Sequence, residues 1–247
     1  MSPETVLWLC LLFGLGAMLY TSVGHAGASA YLAAMALFSV SAATMRPTAL
    51  VLNIVVASLA TYRFVRAGQF NLRLLVPFVV GAIPAAFLAG HFQIPGDFYR
   101  PLVGVVLLAA AARLLWPRPL VSAAADPKPP RLFVMVLAGV AIGALSGLTG
   151  TGGGIFLSPL ILFFGWEIPR KTSGVAAAFI LCVSISGLVG NYAAIGSLPP
   201  ELPYFVVAVV GGALVGTRLG INRLNPDMLL KALGAVLVVA GVKLTFT

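Results

Sequence analysis

The sequence predicts an all-α, polytopic membrane protein: two inverted repeats of about five helical segments each, with glycine-broken helical hairpins at the centre. Three observations lead there. Of 247 residues, 60% are hydrophobic and 9% charged, with a mean hydropathy of +1.07, too little polar material to cover a soluble globule. The apolar runs are long and continuous rather than alternating, so the spans are helices and not the strands of an outer-membrane barrel. The stretch Gly147-Leu-Thr-Gly-Thr-Gly-Gly-Gly154 puts five glycines into eight residues of an apolar region, and Tyr20-Thr-Ser-Val-Gly24-His25-Ala-Gly27-Ala-Ser29 echoes it. Gly24 and Gly27 precede Gly150 and Gly153 by the same 126 residues, which makes the chain a tandem repeat.

Apolar runs between charges and turn residues place ten segments, at 5–23, 27–44, 47–62, 73–92, 99–116, 131–149, 154–167, 172–194, 203–221 and 227–246. The first ends near Ala28-Ser-Ala30, which resembles a cleavage site. Glu4 rather than a cation precedes it, and it is longer than a signal segment, so it is read as a retained span. The second begins at the glycine echo. The third follows Arg46-Pro47 and holds Asn53. His91 closes the fourth and reads as interfacial. After the fifth, Trp116-Pro-Arg-Pro-Leu-Val-Ser-Ala-Ala-Ala-Asp-Pro-Lys-Pro-Pro130 is hostile to helix and forms a linker. The chain thus divides into a first membrane repeat at 1–116, a cytoplasmic linker at 117–130 and a second repeat at 131–247.

In the sixth run, Gly139, Gly143 and Gly147 lie four apart, as do Gly212, Gly216 and Gly220 in the ninth; both sets are helix faces open to close packing. The seventh, fourteen residues long, is short of the ~20 needed to cross and reads as one arm of a hairpin tipped by the glycine stretch. The halves also correspond through Arg46-Pro-Thr-Ala and Lys171-Thr-Ser-Gly, Ala67-Gly68 and Ile195-Gly196, and Gly104 and Gly234.

Charge sets the topology. With each hairpin counted as two segments, twelve Lys and Arg residues share one side and only Arg46, Arg100 and Lys243 take the other. With each break counted as a kink, the split is eight to seven. The positive-inside rule selects the first arrangement, in which each half has five elements, the second half enters from the opposite face, and both termini are external.

The net charge of +9 is scattered between apolar runs, so it is orientation charge and not a nucleic-acid surface. Cys10 and Cys182 lie inside apolar segments without metal or redox spacing. No paired-carboxylate, His-x-x-x-His or Gly-x-Ser-x-Gly pattern occurs, and the glycine stretch lacks the ending of a nucleotide loop; no enzyme, cofactor or metal is predicted. All six acidic residues fall near run ends or in loops, leaving no buried carboxylate to bind sodium or relay protons.

Inverted repeats with broken helices at their centre are the architecture of secondary transporters, and helix N-termini with free amides favour anions. Gly150, Thr151, Gly152, Gly153 and Gly154, with Gly24, His25, Gly27 and Ser29, are the expected lining. Asn53, Thr172 and Ser173 are further candidates, and Arg46 and Lys171, at matching repeat positions, are candidate charges at the two mouths of a pathway. His25 serves either as a proton carrier, with the ~6.5 pKa of a free histidine, or as a neutral cap on backbone freed by the turn.

The run Gly150-Thr-Gly-Gly-Gly154-Ile-Phe-Leu-Ser-Pro159, followed by Arg170-Lys-Thr-Ser-Gly174, resembles the sulfite exporter TauE/SafE family, also called the toluene sulfonate uptake permease family. The resemblance covers essentially the whole chain, although the first-half motif departs from the glycine-rich pattern at His25 and Ala26. It implies a permease of the inner (plasma) membrane that moves small, often sulfur-containing anions such as sulfite or organosulfonates by alternating access. The implied partners are the lipid bilayer and the small anionic substrate, with homo-oligomerisation left open. The alternatives are a channel-like anion pore and a non-transporting membrane scaffold.

Overall fold

The computed structural model describes residues 1–115, 127–128, 130–221, 237–239 and 241–246, and the described elements are all helical. In chain order they are α1 (Pro3–Ser22), α2 (Ala28–Leu37), α3 (Ala42–Arg66), α4 (Leu72–His91), α5 (Gly96–Leu115), α6 (Leu132–Thr149), α7 (Gly154–Phe163), α8 (Pro169–Gly190), a 3-10 turn (Tyr192–Ser197) and α9 (Leu202–Ile221). Six of them, α1, α3, α4, α6, α8 and α9, are long and apolar enough to cross a membrane. At ten residues each, α2 and α7 rise only about 15 Å, half a hydrocarbon core.

Local chemistry sets the helix starts. Ser2, Ser41 and Asn71 accept hydrogen bonds from the amides of Thr5, Thr44 and Leu74 and cap α1, α3 and α4. Pro169 occupies the first turn of α8, where its missing N–H costs nothing. The breaks correspond at 150 − 24, 153 − 27 and 165 − 39, each 126 residues apart: Gly24 and Gly150, Gly27 and Gly153, and Ser39 and Gly165 all have positive φ. The exits of α2 and α7 match bond for bond, Val40 N–H to Met35 O in one and Trp166 N–H to Ile161 O in the other.

Two expectations are corrected. The boundary between runs at 44 and 47 does not exist, because α3 starts at Ala42 and passes through Arg46-Pro47 to Arg66. Pro47 has no N–H for the carbonyl of Ala43, which instead lies 2.9 Å from Ser197 Oγ, a hydroxyl that it shares with Ala194 O at 2.6 Å. The second run accordingly shrinks to α2, as short as α7. The expected absence of buried carboxylates also fails: Glu167 is 7% exposed, accepting from Asn71 Nδ2 at 2.5 Å and from the Ile168 amide at 2.9 Å. It sits in the α7–α8 connection, where Asn71 brings the α3–α4 loop to it.

The glycine faces pack as expected. Side chains on Gly139, Gly143 and Gly147 of α6 would collide with the backbone of Phe78, Ala82 and Ala86 in α4, and side chains on Gly212, Gly216 and Gly220 of α9 with Gly14, Met18 and Ser22 of α1. Each of these pairs joins an early helix to a late one, and α3 and α4 both pack on α8. The larger core cluster surrounds α2, with Tyr31, Leu32, Phe13 and Phe205 fully enclosed, and a second gathers residues of α4, α6, α7 and α8. Gly104 packs on Gly241 and Thr245, while its expected counterpart Gly234 lies outside the described residues, as does most of the 117–130 linker.

Candidate functional site

The site is built by two helix starts that meet. The chain leaves α1 through Gly24 and re-enters helix at Ala28; it leaves α6 through Gly150 and re-enters at Gly154. At Gly24 and Gly150 the left-handed backbone, φ +80° and +82°, turns the chain at once and favours glycine. A side chain at Gly24 would strike Ser173, and one at Gly150 would meet Arg46, so the first break lies against the start of α8 and the second against α3.

The opening amides of both short helices are unclaimed. Among the described residues, the N–H groups of Ala26, Gly27, Ala28, Ser29 and Ala30, and of Gly152, Gly153, Gly154 and Ile155, have no acceptor. All nine residues are buried. Every α-helix leaves its first N–H groups without an intrahelical acceptor, and here two such starts are buried close together, where the helix dipoles add positive potential. His25 joins the clusters, its Nε2 lying 3.0 Å from Gly154 O and its Nδ1 3.1 Å from Val23 O.

Side chains complete the enclosure. Ser29 Oγ shares a hydrogen bond with Tyr20 OH, and Thr151 Oγ1 with Thr149 Oγ1 at 3.0 Å. Asn53, fully buried, lies beside Gly152 and donates from Nδ2 to Ser184 Oγ at 3.4 Å, while its Oδ1 has no partner among the described residues. Ser146 Oγ, equally buried and unpartnered, belongs to a side chain next to Gly153. Ile142, Phe179 and Ile180 close in on Gly152, Gly153 and Gly154, so the second break is tightly packed.

The remaining candidates divide. Ser173 Oγ donates to Val23 O at 3.1 Å and so touches the first break, whereas Thr172 Oγ1 bonds back to Ile168 O within its own helix. Lys171 is half-buried at the start of α8 and makes no hydrogen bond among the described residues. Arg46 is 5% exposed, and its guanidinium donates to Ala89 O, Gly90 O and Phe92 O, capping the end of α4. Sequence reasoning missed Tyr99, whose OH donates to Thr149 O at 2.9 Å, and the pair Ser146 and Ser184. Serines are common in apolar helices, so nothing in their spacing marks them.

On the Arg46 side a cavity of about 660 Å³ opens between the starts of α3 and α5, the α4–α5 turn and the 3-10 turn. Arg46, Arg100, Asp97, Gln93, Tyr99 and Asn191 contribute to its wall.

The family described as Sulfite exporter TauE/SafE matches residues 9–244. A probable membrane transporter protein, y4hK, of Sinorhizobium fredii is 37% identical over 238 residues, 96% of each chain. No solved structure matches. With a family match across nearly the whole chain and a relative of equal extent, borne on helices of membrane-spanning length, the protein belongs to the sulfite exporter TauE/SafE family of membrane transporters.

Proposed function

We propose that the protein is a secondary-type carrier for small oxyanions, foremost sulfite or organosulfonates, working by alternating access around the paired glycine breaks. The observation that carries this reading is the pair of buried, unclaimed amide rows at the starts of α2 and α7, bridged by His25. An oxyanion there would take hydrogen bonds from backbone of both halves, so movement of one half against the other would carry the site from face to face. Two inverted repeats, 1–116 and 131–247, are supported by the constant offset of the breaks and by the exchange of partners, α1 with α9 and α6 with α4. In this reading the linker is cytoplasmic, both termini are external, and the membrane is the inner (plasma) membrane.

Gly24, His25, Gly27, Ser29, Asn53, Gly150, Thr151, Gly152, Gly153, Gly154 and Ser173 are assigned to the substrate path, with Thr172 and Lys171 at its edge. Arg46 contributes its charge while fastening α4. The test is flux of radiolabelled sulfite, sulfate, taurine and sulfoacetate into proteoliposomes. A carrier accumulates at least one anion against its gradient when a driving ion gradient is imposed, whereas equilibration without accumulation identifies a pore. Absence of flux for all four under every gradient would sink the transport reading.

A further inference from the structure

The 660 Å³ cavity lies outside the paired glycine breaks, yet it adjoins one of them. Tyr99 forms part of its wall and donates to Thr149 O at 2.9 Å, and Arg46, another wall residue, packs on Gly150. Its polar groups have donors to spare. Arg46 Nε is buried without a partner, and Arg100, half-buried, makes no hydrogen bond or ion pair among the described residues. Gln93 Nε2 ties the wall together by donating to Asn191 Oδ1 at 3.1 Å. The starts of α3 and α5 both open on the space and add the positive ends of their dipoles. Asp97 stands against them, so two guanidiniums and one carboxylate leave a balance of +1.

We propose that this cavity is an anion-capture vestibule, a second binding site in series with the glycine breaks. The assignment of its ligand as the transported anion rests on the carrier reading above. The volume corresponds to roughly twenty water molecules, far more than a small oxyanion fills, so the ion arrives with its hydration shell and is held by charge rather than by fit. Division of labour follows. The vestibule concentrates any small anion weakly and in a salt-sensitive way, and the amide rows beyond it require the ion to shed water.

The test uses the full chain with Cys10 and Cys182 replaced by alanine and one cysteine introduced by Ala194→Cys, a wall position; Ala193→Cys is the replicate. Two methanethiosulfonate reagents, one ending in a sulfonate and one in trimethylammonium, are compared, and the ratio of their reaction rates reads the local preference for anions. Gly196→Cys, where a side chain meets open space, is the reference. The ratio at 194 should exceed that at 196, fall about fivefold with Arg100→Gln and rise by a similar factor with Asp97→Asn, as one charge within several ångströms in a wet site dictates. Opposite responses to the two variants cannot come from misfolding. A ratio at 194 that equals the reference, or that moves less than twofold in both variants, overturns the vestibule. The probes are themselves anion and cation, so this result stands apart from flux: a preserved ratio with no flux of any anion would fault the carrier reading alone, and preserved flux with a flat ratio would fault the vestibule alone.

Discussion

His25 sets a carbonyl oxygen against each of its ring nitrogens, Val23 O at 3.1 Å and Gly154 O at 3.0 Å. Carbonyls only accept, so both bonds form together only when both nitrogens carry hydrogen, and a neutral ring keeps one. Among titratable groups, Tyr20 stands edge-on with its ring centre 6.1 Å away, Tyr31 faces Gly27 from α2, α7 contributes none, and Lys171 lies at the start of α8. The ring thus reaches from the first break to the second through Gly154 O. His25→Gln, an uncharged amide on a more flexible stem, should loosen that clasp and slow proteoliposome flux while the protein still folds. Flux equal to that of the wild type would make His25 dispensable to the path. Arg46 illustrates what a sequence hides at this scale: its position beside Pro47 looked like a run end, but it lies inside α3, and carbonyls of Ala89, Gly90 and Phe92, more than forty residues away in the chain, accept from its guanidinium.

Helices α6 and α9 carry equivalent glycine faces onto α4 and α1, so the same injury should hurt both. Gly143→Leu and Gly216→Leu should each lower stability by about 1–3 kcal/mol or prevent accumulation, read by thermal melting of detergent-solubilised protein; a harmless variant at either place would show that the backbones can separate. The proline in α3 makes a finer prediction. Ser197→Ala should cost less than about 1 kcal/mol, because the Ala43 carbonyl is open to solvent, and the part of that cost that comes from Ala43 O, as distinct from Ala194 O, should vanish in the background Pro47→Ala, where the restored N–H of residue 47 takes over that carbonyl. The glycine breaks, the shortness of α7 and the packing faces were legible because each has a local cause, backbone that only glycine permits or a face without side chains. The start of α3 was not, because Pro47 is a stop signal in isolation, while the carbonyl that it leaves free at Ala43 meets a serine 154 positions later. For the same reason the contacts Tyr99 to Thr149 and Asn53 to Ser184 left no trace in spacing, and Glu167 read as a loop acid until Asn71 covered it.

At the scale of the whole molecule, the inverted arrangement is tested by single cysteines at Ala67 and Gly196 in a background without Cys10 and Cys182. These follow α3 and α8 in the two halves, and membrane-impermeant labelling should reach them from opposite faces, with Gly196 external. Labelling of both from one face would make the halves parallel and overturn the charge count. Among the described helices, the six of membrane-spanning length find their main neighbour in the other half: α1 rests on α9, α4 on α6 and α8, and α3 on α8. That pattern has a cost during biosynthesis. Between the end of α1 at Ser22 and the start of α9 at Leu202 the ribosome needs about 10–40 s, and for all of that time the α1 groove at Gly14, Met18 and Ser22 lacks its mate. Newly made chains must therefore be sheltered inside the membrane until the last helices emerge, and a nascent chain halted before Leu202 should be a substrate for membrane proteolysis rather than half a transporter.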